Sequence, residues 1–186
     1  ISQVIEALGS DIPVCYQDYP FLTKSETSVA VFNRLVQEFE TLVMLKHEDW
    51  PGLSKLSQLR VTARESGQRR VSILTGNGGL YLPQELARGA DGAMTGFAYP
   101  EMLVEVVSLY RAGEVDRAED LFDAYLPLVR HEQQPGWGLA LRKEVLHRRG
   151  AIQSPTVRAP GPRLAPVDHE ELSRLIRRVE HNLENL

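Results

Sequence analysis

The chain holds one cysteine, Cys15, among its 186 residues, so no disulfide can close within it, and it is compatible with a reducing compartment. It has no apolar run of 18 residues, and its N-terminus lacks the basic stretch and apolar core of a secretory leader. Neither charge sign dominates. A balance of 21 Lys and Arg against 25 Asp and Glu leaves −4, which gives no electrostatic warrant for nucleic acid or an anionic membrane as partner. A nucleotide-binding fingerprint is also missing, because the glycines at 76, 78 and 79 fit neither GxGxxG nor a P-loop. There is no initiator methionine, and the chain opens inside the helical pattern ISQVIEALG, so an upstream part is expected.

What remains is an ordinary globular composition, 42% hydrophobic and 25% charged, long enough for one well-buried domain. The most informative stretch is Thr41–Pro51, TLVMLKHEDWP. Its continuous apolar run fits a strand buried on both faces, and that strand delivers Lys46 into a polar tip of His47, Glu48 and Asp49. A lysine there is costly if charged and unpaired. It serves either an ion pair or a nucleophilic amine. Cys15, inside the apolar run Ile12–Tyr16, reads as a buried filler.

The chain alternates strand and helix from residue 12 to residue 112. After a first helical pattern over Ile1–Leu8, Ile12–Tyr16 reads as a strand ending in the turn-rich Gln17-Asp18-Tyr19-Pro20. Thr27 or Ser28 caps a helix with Val29, Phe32, Leu35, Val36 and Phe39 on one face. Beyond the lysine strand, Pro51 suits the first turn of a helix carrying Leu53, Leu56 and Leu59. Arg70–Thr75 and Gly92–Thr95 read as strands, with helices over Leu80–Arg88 and from Pro100 to Gly113. Four such units predict a parallel sheet, either an open doubly wound one or a segment of a (β/α)8 barrel. The missing glycine fingerprint favours the barrel. From residue 114 the pattern is helical only, with a stripe through Val115, Ala118, Leu121, Phe122, Tyr125 and Val129. A helix over Gly138–Arg149 ends in Arg142, Lys143, His147, Arg148 and Arg149, an anion site or, more in keeping with its place, a solvated face. Residues 153–167 contain four prolines and read as an extended strap, and Asp168 caps a last amphipathic helix. The pattern divides the chain into 1–113 and 114–186.

Four features resemble the C-terminal part of the dihydrodipicolinate synthase / N-acetylneuraminate lyase family of class I Schiff-base aldolases and dehydratases. They are the strand ending in Lys46, the turn IPVCYQDYP, the segment ILTGNGG with ELARGADGAMTGFAYPE, and the helical tail RRGAIQSPTVRAPGPRL. The resemblance implies a (β/α)8 TIM barrel of which this chain carries about the last four βα units plus a C-terminal helical extension. It places the first four units, with the family's carboxylate-binding Gly-Thr-Thr turn, outside this sequence.

It also implies chemistry without a cofactor, a covalent imine formed by Lys46 with pyruvate or a longer 2-oxo acid. No metal is needed, and His47, Glu48 and Asp49 are adjacent, which is poor geometry for one. The family's proton-relaying tyrosine falls at Gln17, with Tyr16 one residue early and turned to the opposite face unless a bulge rescues it. Gln17 orients a water but cannot exchange a proton near neutral pH. Glu48, two residues beyond Lys46, is a replacement acid/base, a partner for Lys46, or a solvated loop carboxylate. His47 points away and reads as structural. The synthases' arginine is absent, since Leu22 stands in its place before Thr23. Substrate contacts implied by the resemblance are Thr23, the turn Gly76, Asn77 and Gly78, and Met94, Thr95 and Gly96. The expectation is a lysine Schiff-base lyase, aldolase or dehydratase, on 2-keto-3-deoxy sugar acids. The alternative is a non-catalytic member that binds a small oxo acid or is purely structural. A cytoplasmic homo-oligomer, dimer or tetramer, with no nucleic-acid or membrane partner, completes the expectation.

Overall fold

The computed structural model describes residues 1–50 and 52–186. Pro51, expected in the first turn of a helix, lies outside them. The chain falls into two compact units, residues 1–76 with 84–94, and residues 77–83 with 95–186. This grouping by packing differs from the division at Gly113 read from the pattern.

In the first unit four strands, β1 (Val14–Asp18), β2 (Leu42–His47), β3 (Ser72–Thr75) and β4 (Gly92–Ala93), form one parallel sheet in the order β1-β2-β3-β4. A doubly wound sheet reverses its strand order at a switch point, whereas a barrel adds each strand beside the last with its crossovers on one side. The crossovers here follow the barrel rule. Helices α3 (Val29–Glu38) and α4 (Leu53–Glu65) pack Phe32, Leu35, Val36, Leu56 and Leu59 against Leu42, Leu45 and Ile73 on the same sheet face. Burying these side chains contributes roughly 1.5–3 kcal/mol each. Ser28 caps α3 by accepting a hydrogen bond from the Val31 N–H at 3.2 Å. Helix α1 (Ser2–Leu8) ends on Gly9, whose φ of 77° is the left-handed region that favours glycine.

Strand β2 presents two unlike faces in this chain. Leu45 and His47 turn under the helices and are almost fully buried, while Met44 and Lys46 turn the other way and stay half-buried. From Met44 to His47, period-two alternation gives the strand one buried and one accessible side. Cys15 shares this exposure, so it is not the buried filler expected. The apolar run Ile12–Tyr16 misleads because the strand begins at Val14 and leaves Ile12 exposed, while alternation turns Cys15 to the face it shares with Met44.

At the entry end of the sheet, arginines tie strands and loops together. Arg60 donates to the carbonyls of Gly89 and Val71 and to Asp91, and Asp91 accepts the Ile73 N–H at 2.8 Å. Arg69 donates to the carbonyls of Val36, Phe39 and Leu42. The turn after β1 closes as a short helix, α2 (Pro20–Thr23). A 3-10 turn, Asn77–Gly79, precedes α5 (Leu82–Ala87).

The second unit is helical and centres on α7 (Val115–Glu132), which packs against α6 (Pro100–Arg111), α8 (Gly138–Arg148) and α9 (Pro166–Leu183). Its stripe buries Ala118, Phe122, Tyr125, Leu128 and Val129. Of the basic cluster, His147, Arg148 and Arg149 are exposed, as a solvated face requires, while Arg142 and Lys143 are half-buried, and Arg142, Lys143, Arg148 and Arg149 make specific contacts. Arg142 pairs with Glu132, Lys143 donates to the Thr156 carbonyl, and Arg148 pairs with Glu144. Arg149 lies over the Tyr99 ring at 4.1 Å and pairs with Glu101. Arg142, Lys143 and Arg149 find these partners on other segments, which spacing along the chain does not reveal, whereas Arg148 and Glu144 are an i,i+4 pair within α8. Asp168 is not the cap of α9 either. It sits inside the first turn and accepts the Ala165 N–H, because Pro166 starts the helix earlier. No helix among the described residues is long and apolar enough to cross a membrane.

Glu85 on α5 is buried in the first unit, and burial pushes its carboxyl up to about 7, against a hydrogen bond from Thr75. The unfolded chain ionises this group near 4.5, so between there and about 7 the folded chain holds the extra proton. Its contribution is therefore greatest at low pH and falls as pH rises through that window. In the full-length protein, Glu85→Gln is expected to flatten this slope and to stabilise by on the order of 3 kcal/mol at about pH 8. Thermal melts of parent and variant at about pH 5.5 and 8 check it; parallel pH dependence in the two would contradict it.

Candidate active site

The site begins with parallel register. Gln17 on β1 lies opposite Lys46 on β2, and Lys46 lies opposite Leu74 on β3. Paired residues in a parallel sheet point to the same side, so Gln17, Lys46 and Leu74 share the face turned away from α3 and α4. The neighbouring row, Asp18, His47 and Thr75, points under the helices and is buried.

On the Lys46 side, Glu48 completes a three-residue cluster. The Gln17 side-chain amide donates to Glu48 Oε2, and Lys46 Nζ stands 3.5 Å from the same oxygen. Glu48 is 8% exposed and the Lys46 side chain 21%. At 3.5 Å the amine is close enough for electrostatic pairing but longer than an ordinary hydrogen bond. Lys46 is therefore held near a carboxylate without being locked onto it. Gly76, just beyond β3, makes room for this arrangement, since a Cβ there would overlap the Glu48 carboxylate. Its N–H donates to the His47 carbonyl at 3.0 Å.

Tyr16 is not brought to this cluster. It lies on the helix-facing side, its hydroxyl hydrogen-bonded to Thr27 and its ring 6.3 Å from that of Phe32. Alternation puts it there, and the register irregularity between Val14 and Cys15 does not turn it back. Thr23 is exposed at the end of α2, its hydroxyl donating to the Tyr19 carbonyl at 2.9 Å.

His47 is buried, with Nε2 2.9 Å from the Gly52 carbonyl oxygen. Burial holds its imidazole below the ordinary value, against the raising effect of Gly52, Asp18 and Asp49, and so favours the neutral ring. Below the rim, Lys55 Nζ reaches Asp18 at 2.6 Å and Asp49 at 2.8 Å. Burial lowers the Lys55 ammonium, but its two carboxylates outweigh this and raise it. Burial likewise raises Asp49, and the Lys55 hydrogen bond and charge overcome it and hold the carboxyl low. Lys55 escapes a sequence reading because its partners are 37 and 6 residues away.

The glycine turn Asn77–Gly79 and the residues Thr95 and Gly96 belong to the second unit. Asn77 and Gly78 adopt φ of 50° and 69°, and the Gly78 N–H donates to the Thr95 hydroxyl at 2.6 Å. A Cβ at Gly78 would overlap the Gln133 amide, and one at Gly96 the Arg142 guanidinium. These glycines leave room for protein side chains, a reason beyond the substrate approach expected from the sequence. Met94 is exposed and Thr95 and Gly96 are half-buried. Arg142 is steadied by Glu132, which is almost fully buried and also accepts the Ala98 N–H at 3.1 Å.

Comparison with known proteins adds the following. Residues 2–182 match the model of the dihydrodipicolinate synthetase family. A curated relative from Azospirillum brasilense, L-2-keto-3-deoxyarabonate dehydratase, is 31% identical over 91% of this chain and 53% of its own length. A 4-hydroxy-tetrahydrodipicolinate synthase from Methanothrix thermoacetophila is 31% identical over 67% of this chain and 41% of its own. The chain thus spans about half the length of the curated relatives it matches. Among solved structures, a dihydrodipicolinate synthase from Rhodopseudomonas palustris is 48% identical with a TM-score of 0.91, over 95% of this chain and 59% of that one. The fold is therefore part of a (β/α)8 barrel.

The Gly76 contact yields a direct test. Gly76→Ala in the full-length protein forces the Glu48 carboxylate aside and is expected to lower turnover by about 100-fold with the fold retained. Steady-state kinetics beside circular dichroism read this out. Turnover equal to the parent's would remove Glu48 from the working site.

Proposed function

The chain belongs to the dihydrodipicolinate synthetase family, and on that premise we propose that the whole protein is a lysine Schiff-base lyase acting on a 2-keto-3-deoxy sugar acid. The observation that carries this reading is the placement of Lys46. It stands at the C-terminal end of β2, where barrel enzymes keep their chemistry, on the face away from the helices and beside a carboxylate.

In this reading the neutral Lys46 amine attacks C2 of the 2-oxo acid, and the carbonyl oxygen departs as water to leave a protonated imine. The imine draws electron density from C3, so a C3 proton is lost and an enamine forms. The enamine expels the C4 hydroxyl as water in a dehydratase. In an aldolase the protonated imine instead takes up the C3–C4 bonding pair while the C4 hydroxyl gives its proton to a base, leaving an aldehyde and an enamine. That enamine is then protonated at C3. Hydrolysis of the imine releases product and regenerates Lys46. Glu48 carries protons to and from the departing oxygens, a task for which its 3.5 Å approach to Lys46 suits it. Gln17 fixes the Glu48 carboxylate and orients water, in place of a phenol. Thr23, Gly76, Asn77, Gly78, Met94, Thr95 and Gly96 are assigned to substrate contact.

Two features support a sugar acid over the synthase reaction. The A. brasilense relative is named a keto-deoxyarabonate dehydratase, and Leu22 stands where the synthases' arginine is expected. No cofactor enters the scheme. A cytoplasmic homo-oligomer, dimer or tetramer, belongs to the same proposal. A second reading, a non-catalytic binder of small oxo acids, is favoured by glutamine rather than tyrosine at position 17.

Borohydride reduction of the full-length protein with pyruvate separates the two. The enzyme reading expects a stable adduct on the peptide containing Lys46 and none in Lys46→Ala. An untouched Lys46 under saturating pyruvate would favour the binder. Product analysis with a 2-keto-3-deoxy acid then tells loss of water from carbon–carbon cleavage.

A further inference from the structure

We propose that Lys55 is a positioning residue for the imine chemistry, clamping the two strand ends that carry Gln17 and Glu48; this rests on the Schiff-base reading of Lys46.

The argument is one of adjacency. Gln17 is followed by Asp18, and Glu48 by Asp49. On the Lys46 side of the sheet, Gln17 and Glu48 join by a hydrogen bond. Lys55 joins the two residues that follow them, at 2.6 Å to Asp18 and 2.8 Å to Asp49. Between these levels the Glu48 N–H donates to the Asp18 carbonyl at 2.9 Å. The junction of β1 and β2 is thus stitched three times, and the stitch made by Lys55 is the ionic one.

That stitch matters because Glu48 lies one residue beyond the last sheet pair, Asp18 with His47. The Asp18 carbonyl still holds its backbone N–H, and no β1–β2 pair follows it among the described residues. The direction of the Glu48 side chain depends on what holds the following loop, and Asp49 is held at both carboxylate oxygens, by Lys55 and by the Trp50 N–H at 2.8 Å.

Charge makes Lys55 hard to replace. Asp18 is 2% exposed, and its Oδ1 has no hydrogen-bond partner among the described residues. A lysine in the first turn of α4 is disfavoured by the helix dipole, so the two carboxylates are what account for its place. Without the ammonium, two neighbouring carboxylates repel in a partly dry site, and the loop bearing Glu48 is free to move.

The test uses the full-length protein and compares Lys55→Met with Lys55→Arg. Imine formation is read as the rate of borohydride trapping by pyruvate, alongside kcat, KM and thermal melts. Lys55→Met is expected to lower trapping rate and kcat by about 10-fold or more at temperatures well below its melt, with KM changed less than about 3-fold. Lys55→Arg, which keeps the charge, is expected to recover most of the loss. Should Lys55→Met fail to fold, Asp49→Ala opens the same clamp and leaves the Lys55–Asp18 pair, with the same expected fall in kcat. Lower thermal stability with unchanged trapping rate and kcat would overturn the proposal and leave Lys55 as a structural ion pair. A parent protein that forms no adduct overturns the Schiff-base reading, and the positioning role falls with it.

Discussion

Everything about the site depends on the pairing of β1 with β2. Setting Gln17 opposite Lys46 places one amide and one amine on the same side of the sheet. The adjacent pair, Asp18 and His47, is then forced under the helices. A slip of one residue in either strand would exchange these rows, burying the amine and exposing the apolar set. The helix-facing core resists such a slip, because Leu45 and Ile73 fill it almost completely. Packing on one face therefore sets the chemistry of the other.

The rim above this pairing is built from charges of both signs in close order. Lys46, Glu48, Lys55, Asp18 and Asp49 form two ionic groups on either side of one backbone hydrogen bond. Asp18 and Glu48 are buried, and each carboxylate has a cation within reach. His47 adds bulk and a hydrogen bond to the following loop rather than charge, since burial favours its neutral form.

Much of this was legible in the sequence, and the limits have physical reasons. Strand and helix rhythm showed where each βα unit lies, and alternation alone put Tyr16 on the far side from Lys46. The cap at Ser28 and the helix starts at Pro100 and Gly138 follow from local chemistry. Local chemistry misled at Asp168, where the helix began three residues earlier than its cap signal suggested, and at Cys15, which alternation turns to the accessible face of β1. Contacts far apart in the chain left no local trace. The clamp at Lys55 and the pairing of Arg142 with Glu132 arise only when separate elements are packed together, and nothing in the spacing singled Lys55 out.

The two ends of the sheet are furnished differently, and this has a practical consequence. Arg60 and Arg69 gather backbone carbonyls at the entry end, several residues along each strand from the amine. Hardening that end against heat, by adding arginine–carbonyl links or shortening its turns, leaves the working rim untouched. Durability and reactivity can therefore be engineered in this protein as separate properties.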